Sequence, residues 1–423
     1  VHAVSSAEVG KMFERFQSKG LSVGTVATHP SLKVCLDPSN LFGRHFAILG
    51  QTGSGKSWTV AALVQRTVAV MPRAHIIILD LHGEYCWKRE DGSRHYAFAD
   101  AIVRHVDARE LEIPYWLMTY AELCDLLIDH TDFSAHNQVA AFRDVLGRLR
   151  AAEGASPGLG LPRTTLDTPV FFDLAALRAE IESMNGQVMG SSGKLINGTL
   201  TGKFDNFLMR LDSKLNDVRY DFLLKPKVRK DSASLSSLLR DFVGLGTPKS
   251  AVTVIDLSSV PFDVRPTVAA QIGRLAFEFN YWNPKYREFP ILLMCEEAHA
   301  YIPRASESQF AGARKSMERI AKEGRKYGVG LAVVSQRPHE VSETVLAQCG
   351  TFICLRITNP DDQAYVRSLV PESEGDLVSV LAGLGRGEAL VLGEAVPLPT
   401  RLQFDKPNPT PNSDDIDFYT KWR

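Results

Sequence analysis

Residues 45–57 read HFAILGQTGSGKS, a short apolar run followed by a glycine-rich turn that ends in lysine and serine. The turn fits the P-loop pattern, in which inward-pointing backbone N–H groups surround a phosphate. Residues 45–49 predict a buried strand and residues 57–71 a packed helix, which is the context that this pattern requires. The predicted phosphate-binding residues are Gly50, Gln51, Thr52, Gly53, Ser54, Gly55, Lys56 and Ser57.

The last two residues of the turn have separate predicted tasks. Lys56 would reach the β- and γ-phosphates of a nucleoside triphosphate, and the Ser57 hydroxyl would bind Mg²⁺ at the start of the helix. The alternative is a glycine loop without a ligand. The strand before the turn and the helix after it favour the nucleotide site.

Composition limits the classes of protein to which this chain can belong. The chain has 423 residues, of which 44% are hydrophobic and 23% charged, as in a globular protein of one elaborated domain or two. No apolar run approaches the roughly 18 residues of a membrane span, so no membrane association is expected. No signal peptide is recognised, although the chain begins at Val1. Six cysteines without a C-x-x-C pair indicate reduced thiols in the cytoplasm.

The net charge of the chain neither supports nor excludes binding to nucleic acid. The formal net charge is −1, whereas nucleic-acid-binding domains are usually basic. Contact with DNA would therefore need a local basic patch, such as loops that face the pore of a ring.

Further apolar runs predict an α/β fold with a mostly parallel sheet flanked by helices. Several of these runs end in polar side chains, as expected at the ligand-binding carboxyl edge of a parallel sheet. The predicted strands are residues 75–80, 251–258, 289–303, 329–338, 350–360, 389–395 and 400–404, with an earlier strand near residues 33–37. Helices are predicted at residues 7–20, 264–282 and 306–327, the last carrying capping serines and a Glu318–Lys322 pair.

The most informative of these runs is 289–303, FPILLMCEEAHAYIP, which ends in the adjacent acids Glu296 and Glu297. They are the expected Walker B partner of a P-loop: one carboxylate holds magnesium through water and the other polarises the attacking water. A solvent-facing strand end is the weaker alternative. Gln336, at the end of the run 329–338, is placed to sense the γ-phosphate or to position the water.

The turn after the run 75–80 leaves two interpretations open. Asp80 ends a run of four aliphatic residues, and His82 and Glu84 follow it. Asp80 and Glu84 are therefore candidate additional site residues. The alternatives are a turn-capping aspartate and ordinary loop polarity.

Residues 109–245 predict a mainly helical insertion, with one strand-like piece at 169–174 and a glycine- and serine-rich run at 186–203. This divides the chain into an approach segment at 1–40, a core at 41–108 and 246–405, the insertion, and a tail at 406–423. Basic residues cluster in and after the glycine-rich run, and they form either a solvated face or a grip on a DNA backbone. They are Lys194, Lys203, Arg210, Lys214 and Arg219.

Five motifs in order resemble the HerA-type ATPases, which belong with FtsK among the ring-forming DNA translocases. Besides the P-loop they are IILDLHGEY, LLMCEEAHAYIP, GRKYGVGLAVVSQRP and ICLRITNPDDQAYV, and the resemblance extends roughly from Leu32 to Phe404. It implies a RecA-like core, ATP and Mg²⁺ as cofactors, and a hexameric ring that moves along double-stranded DNA. It also implies a nuclease partner or, in antiphage systems, a sirtuin-like effector. The family's N-terminal β-barrel is expected to be absent, because the chain opens too close to the P-loop.

The resemblance also assigns roles to residues. Glu296 and Ser57 would bind magnesium, Glu297 would activate water, and Gln336 would be the sensor. An arginine from the next subunit would complete the site, and Arg325 and Arg356 are the candidates; a surface or subunit salt bridge is the alternative for each. The leading function is a DNA translocase or helicase for DNA repair or antiviral defence, and the second is an ATP-dependent scaffold that activates a partner effector with little unwinding. A protein-remodelling ATPase is a third and weaker option, because the later motifs resemble the DNA-pump branch more than unfoldases. In each case the tail at 406–423 is expected to dock on a neighbour.

Overall fold

The computed structural model describes residues 6–17, 20–88, 91–98, 103–189, 194–305, 311–413 and 417–423. In these residues the strands are β1 (Ser22–Val26), β2 (His29–Cys35), β3 (Phe46–Leu49), β4 (Ile76–Asp80), β5 (Cys86–Lys88), β6 (Arg94–Tyr96), β7 (Val103–Asp107), β8 (Val188–Met189), β9 (Leu195–Ile196), β10 (Val252–Asp256), β11 (Ile291–Cys295), β12 (Val329–Ser335), β13 (Thr351–Cys354), β14 (Glu388–Gly393) and β15 (Thr400–Phe404). The helices are α1 (Ser6–Gln17), α2 (Pro38–Gly43), α3 (Lys56–Val70), α4 (Ala108–Leu111), α5 (Tyr120–Leu127), α6 (Ala135–Gly154), α7 (Leu174–Asn185), α8 (Asp205–Leu215), α9 (Asp221–Leu224), α10 (Ser234–Phe242), α11 (Arg265–Tyr281), α12 (Ala311–Glu323), α13 (Glu343–Leu346), α14 (Pro360–Leu369) and α15 (Phe418–Trp422).

The chain divides into two compact units. The first unit comprises residues 1–107, 239–259 and 272–423, and the second comprises residues 108–238 and 260–271. The second unit is mainly helical, and its short strands β8 and β9 pair as an antiparallel hairpin. The domain boundaries drawn from the sequence stay a prediction.

The first unit is built on one eleven-stranded sheet in the order β2-β1-β15-β14-β13-β3-β12-β11-β4-β10-β7. The seven strands from β13 to β7 run parallel, whereas β14, β15, β1 and β2 are joined by antiparallel pairings. The α/β architecture with a mostly parallel sheet is therefore confirmed. It places the carboxyl ends of β3, β11 and β12 along one edge.

Burial explains why the central strands were recognisable. Every residue of β3, β4, β11, β12 and β13 is buried, as in parallel sheets covered by helices on both faces. Helix α3 buries Val60, Leu63 and Val64 in the same core cluster as Phe46 and Ile48 of β3. This packing fixes the strand, turn and helix of the P-loop as one unit.

Two strand predictions are wrong in detail. Residues 169–174 form no strand: Phe171 N donates to the Ser232 Oγ (2.8 Å) rather than to a strand, and Asp173 caps α7. Val170 and Phe172 are nonetheless buried, which explains the apolar pattern. The early strand is β2, which ends at Cys35; Asp37 instead caps α2 by accepting from Ser39 N (2.9 Å).

Other predictions hold with shifted ends. The basic helix corresponds to α12 followed by a tight turn at Gly324–Tyr327, and Glu318 pairs with Lys322 at 3.6 Å. The predicted capping serines, Ser306 and Ser308, lie outside the described residues. Within the described part of the chain, none of the helices has the length and apolar character needed to cross a bilayer.

Candidate active site

The P-loop lies at the carboxyl end of β3 and is tied to the strands on both sides. Gly50 N donates to the Ser335 carbonyl at the end of β12 (3.2 Å), and Gln51 N donates to the Arg356 carbonyl beyond β13 (2.9 Å). The Gln51 Oε1 accepts from Thr358 N (3.0 Å). The loop is therefore held from β12, on one side of β3, and from β13, on the other.

Glycine is required at specific points of this loop. Gly53 and Gly55 have φ of 73° and 101°, in the left-handed region that other residues avoid. A Cβ on Gly50 would lie 2.7 Å from the Ser54 Oγ and 2.9 Å from the Leu355 Cβ, too close for any side chain. The curled backbone that results is the form that binds anions through its N–H groups.

Lys56 is positioned to meet the phosphates from within the protein. It is only 8% exposed, and its Nζ donates to the Gln51 carbonyl (3.3 Å). Burial lowers the pKa of this ammonium, while the nearby carboxylates of Glu297, Glu296 and Glu84 act in the opposite direction. A buried cation that faces acids forms a site that favours a polyanionic ligand accompanied by its own divalent cation.

Glu296 directly follows β11 and is fixed by two tyrosines. Its Oε1 accepts a hydrogen bond from the Tyr85 hydroxyl, and its carbonyl accepts one from the Tyr301 hydroxyl (2.9 Å). The residue is 6% exposed, and this burial raises the pKa of its carboxyl to about 8, against the lowering effect of the Tyr85 hydrogen bond. A carboxyl held this way benefits from a cation close to it.

Glu297 has an unusual backbone and a free carboxylate oxygen. Its φ of 46° and ψ of 45° place it in the left-handed region, and such outliers cluster at functional sites. Burial raises the pKa of its carboxyl, against the effect of the Lys56 charge. Its Oε2 is buried and accepts no hydrogen bond from the described residues, although the His299 Nδ1 lies 3.3 Å away. Burial lowers the pKa of His299 to about 4, so at neutral pH the imidazole carries no charge.

Asp80 serves the turn that follows β4. Its Oδ1 accepts from the backbone N–H of Gly83 (2.9 Å) and Glu84 (3.1 Å), and its Oδ2 accepts from Tyr85 N (3.0 Å). Complete burial raises the pKa of this carboxyl to about 6, although the same hydrogen bonds lower it. The geometry favours the turn-capping interpretation of Asp80, and the turn in turn positions Tyr85 beside Glu296. Glu84 contributes a further charge near Lys56 and Glu296.

Asp80→Ala is expected to lower the free energy of unfolding by about 2–4 kcal/mol, because several buried N–H groups lose their acceptor at once. Urea denaturation of the variant measures this change. Asp376→Ala, at an exposed position, is the control and should change stability by less than about 0.5 kcal/mol. A variant that keeps full stability but loses ATP hydrolysis would instead place Asp80 in the chemistry.

Gln336 is brought next to the P-loop. It follows Ser335 at the end of β12, and its Oε1 accepts a hydrogen bond from the Thr52 hydroxyl. Ser335 itself is buried and accepts from Arg337 N (3.0 Å). The Gln336 amide therefore lies at the tip of the P-loop. Its role as a sensor of the γ-phosphate stays a prediction.

The two candidate arginines lie at opposite edges of the sheet. Arg356 follows β13, and its carbonyl accepts from Gln51 N of the same P-loop (2.9 Å). Arg325 precedes β12 and is exposed, at the amino edge of the sheet. Because β12 has seven residues at about 3.3 Å each, roughly 20 Å separate Arg325 from its own P-loop. Of the two candidates, Arg356 is therefore the one that lies beside the P-loop of its own chain.

The predicted DNA-contacting cations belong to the second unit, and most have partners there. Arg219 pairs with Asp217 (2.6 Å), Arg210 lies 3.8 Å from Asp129, and Lys214 donates to the Tyr220 hydroxyl (3.0 Å). The Lys203 Nζ lies 5.6 Å from the centre of the Phe133 ring, and Lys194 is exposed beside β9. Three of the five therefore have the ordinary structural explanation.

Sequence reasoning missed Tyr85. The motif LHGEY contains it, yet nothing in the pattern indicates that a hydroxyl at this position reaches an acid at the end of β11. The contact depends on the pairing of β4 with β11, which brings the ends of the two strands together. Without the strand order, a search of the sequence for tyrosines and acids would not have found the contact between Tyr85 and Glu296.

The residues present fit a magnesium ion that arrives with a triphosphate. The described residues contain no ready-made cluster of three or more His, Cys, Asp or Glu side chains. They do offer the Ser57 hydroxyl at the start of α3 and the carboxyl of Glu296 directly after β11. Mg²⁺ is typically bound by one or two such groups together with phosphate oxygens and water.

Comparison with known families covers nearly the whole chain. Residues 21–276 match the family model described as the central domain of helicase HerA, and residues 287–400 match that of the helicase HerA-like C-terminal domain. The DNA double-strand break repair helicase HerA of Pyrococcus furiosus is 28% identical over 418 residues, covering 92% of this chain and 70% of that protein. A probable DNA double-strand break repair helicase HerA of Methanocaldococcus jannaschii is 29% identical over 421 residues, covering 95% and 80%.

Solved structures share the fold at lower identity. VirB4 of Thermoanaerobacter pseudethanolicus superposes with a TM-score of 0.57 at 17% identity, covering 91% of this chain and 96% of that one. The plasmid coupling protein TrwB, in complex with a non-hydrolysable ATP analogue, gives 0.54 at 16% identity, covering 95% and 92%. These likenesses confirm the RecA-like P-loop fold. The two family models and the HerA relatives show that this chain is an ATP hydrolase that belongs to the HerA helicase family.

Proposed function

We propose that the protein is an ATP-driven translocase or helicase that acts on double-stranded DNA as a hexameric ring. One observation supports it most: Glu296 and Glu297 lie with the P-loop lysine at one edge of the sheet, where their charges reach Lys56. That arrangement binds and splits a triphosphate. The DNA substrate follows from the relatives, which carry the name of DNA double-strand break repair helicases.

Each residue at this edge has a task in hydrolysis. The P-loop N–H groups and Lys56 hold the phosphates, and Gln336 orients the attacking water beside the γ-phosphate. Glu297 accepts a proton from that water, for which a buried carboxylate with a raised pKa is suited. Magnesium, when held by Ser57 and Glu296, supplies charge neutralisation for the phosphates. Tyr85 keeps Glu296 in place.

We infer that the two arginines act on different sites. Arg356, beside its own P-loop, would act within the chain, whereas Arg325 is too far from that loop and would reach the site of the next subunit. An arginine supplied in this way stabilises charge in the transition state and makes hydrolysis depend on the neighbour. The alternative for each remains a salt bridge.

The wider assignment consists of proposals that rest on the family. DNA would contact Lys194 and, with weaker support, Lys203 and Arg210. A nuclease or a sirtuin-like effector would be the partner, in DNA repair or antiviral defence. Residues 406–413 contact this chain's own core, where Asn412 N donates to the Glu84 carbonyl (2.8 Å), so α15 is the part of the tail proposed to dock on a neighbour. All six cysteines lie in the described residues, where they are buried and form no disulfide, and this supports a cytoplasmic location.

Double-stranded DNA is expected to stimulate ATP hydrolysis by tenfold or more, on the order of the shifts that coupling between two sites produces. Phosphate release with and without duplex DNA measures this, and electron microscopy with duplex DNA and an ATP analogue shows whether a hexamer encloses it. The stimulation should fall as salt is raised, because phosphate contacts release counterions. A rate of ATP hydrolysis that duplex DNA does not change at low salt would contradict the proposal of a translocase.

The second candidate is an ATP-dependent scaffold for a partner effector. The hairpin β8–β9 favours it, because Val188, Met189, Leu195 and Ile196 are all exposed, which is unusual for a surface without a partner. The near-neutral net charge agrees with it. ATP hydrolysis that is unchanged by DNA, combined with oligomers that grow only when the partner is added, would favour the scaffold.

A further inference from the structure

The two sides of β3 present different strands and side chains at the P-loop edge of the sheet. On one side lie β12 and β11, which end in Gln336 and in the two glutamates; on the other lie β13 and β14. Because the terminal phosphate must face the glutamates, the base of the nucleotide must extend toward β13 and β14. On that second side, Arg356 has been proposed to act at the P-loop, but no residue has been assigned to the base.

A short loop from that side is packed directly on the P-loop. Strand β14 is antiparallel to β13, so its first residue lies at the edge where β3 and β13 end. Just before it, Gly387 N donates to the Ser54 carbonyl of the P-loop (3.0 Å). A Cβ on Gly55 would lie 3.1 Å from this Gly387 N, so the two backbones are as close as glycine allows.

This contact brings an arginine over an aromatic ring beside the phosphate loop. Trp58 is two residues after Lys56 in helix α3, and the Arg386 guanidinium carbon lies 4.5 Å from the centre of its indole. The Lys406 Nζ lies 5.1 Å from the same centre. Arg386 is exposed and Trp58 is half-buried, and the indole Nε1 has no hydrogen-bond partner in the described residues. The described residues therefore offer this indole two stacked cations but no hydrogen bond to its Nε1.

We propose that Trp58 and Arg386 form the base end of the nucleotide site, where the purine of the bound nucleotide stacks on this pair. The proposal rests on the function proposed above, since it adds the base contact to the same P-loop. A guanidinium plane and an indole are the two side-chain surfaces on which bases stack best. Lys406 adds a positive charge on the same side, which suits the phosphate next to the ribose.

The alternative is that the stack only stabilises the loop before β14. The two interpretations predict different effects of a substitution on the binding of a ligand that has no base. ADP has phosphates and a base, whereas inorganic tripolyphosphate has phosphates alone. Loss of a base contact weakens ADP selectively; loss of the loop structure distorts the P-loop and weakens both ligands.

The experiment is calorimetric titration of the full chain with ADP and with tripolyphosphate, each with Mg²⁺. Trp58→Ala and Arg386→Ala should bind ADP about tenfold or more weakly and should leave the tripolyphosphate affinity within about threefold. Trp58→Phe, which keeps a ring, should retain most of the ADP affinity. Arg319→Ala is the matched control, because Arg319 also stacks on a ring, that of Phe277 at 4.4 Å, in a part of the unit without a proposed nucleotide contact.

Equal loss of both ligands, or unchanged ADP affinity, would overturn the base contact while leaving the P-loop assignment intact. If the unmodified protein binds neither ligand, the proposed function fails together with the inference. Tryptophan fluorescence gives an independent readout: ADP should change the emission of the unmodified protein, and Trp58→Phe should lose that change. A change that persists in Trp58→Phe comes from another tryptophan and counts against the contact.

Discussion

Glu297→Gln is expected to lower the rate of ATP hydrolysis by about 100-fold or more, while nucleotide affinity stays within about threefold. Glutamine has nearly the same shape as glutamate but cannot accept the proton of the attacking water. Phosphate release under saturating ATP measures turnover, and titration with ADP measures binding. The loss should appear in turnover rather than in affinity, because the proton is transferred only as the γ-phosphate bond breaks.

The local structure explains why this substitution is informative. The Glu297 Oε2 is buried and accepts no hydrogen bond from the described residues. Replacing this oxygen with an amide nitrogen therefore breaks no hydrogen bond within the described part of the chain. Glu296 differs, since it accepts from Tyr85 and is the predicted magnesium ligand. Glu296→Gln should therefore weaken nucleotide binding in the presence of magnesium as well as turnover.

The control is Glu372→Gln, at an exposed position that has no proposed role in hydrolysis, which should hydrolyse ATP at the unmodified rate. Thermal unfolding should give similar midpoints for all three variants. If Glu297→Gln still hydrolyses ATP within about threefold of the unmodified protein, Glu297 is not the base and the water is activated elsewhere.

The sequence predicted the elements that depend on local pattern. The P-loop needs glycine where φ is positive and a strand and helix around it, and all three features can be read from residues 45–71. Strands β4, β11 and β12 were recognisable because they are buried on both faces, which leaves continuous apolar runs. Residues 169–174 show the limit of this rule, since buried Val170 and Phe172 gave the same pattern without a partner strand.

What the sequence left open depends on contacts between distant segments. The capping role of Asp80 depends on a turn in which Gly83 adopts a φ of 72°, and the Tyr85–Glu296 contact depends on strand order. The placement of the arginines was predictable in principle. Arg325 precedes its strand and Arg356 follows one, and in parallel strands those positions lie at opposite edges.

That opposite placement leads to an expected result in mixed rings. Arg325→Ala alone should lose about 10³-fold or more in hydrolysis, the range seen for arginines that act in trans. Lys56→Ala alone should also lose hydrolysis, because the P-loop lysine holds the phosphates. In a ring that contains both variants, some sites join an intact P-loop of one subunit to the intact Arg325 of the next. For random mixing at equal amounts this is roughly a quarter of the sites, since every subunit contact in a ring is head-to-tail.

Arg356→Ala provides the matched control, because the geometry places Arg356 beside the P-loop of its own chain. Mixed with Lys56→Ala, it offers no arrangement in which one site has both groups, so hydrolysis should stay at the level of the single variants. The two mixtures therefore separate action across a subunit boundary from action within a chain. Recovery with Arg325→Ala but not with Arg356→Ala supports the proposed division. Recovery with Arg356→Ala would show that the sheet edge on which an arginine lies does not decide which site it serves. No recovery in the mixture with Arg325→Ala would leave Arg325 with only a structural role.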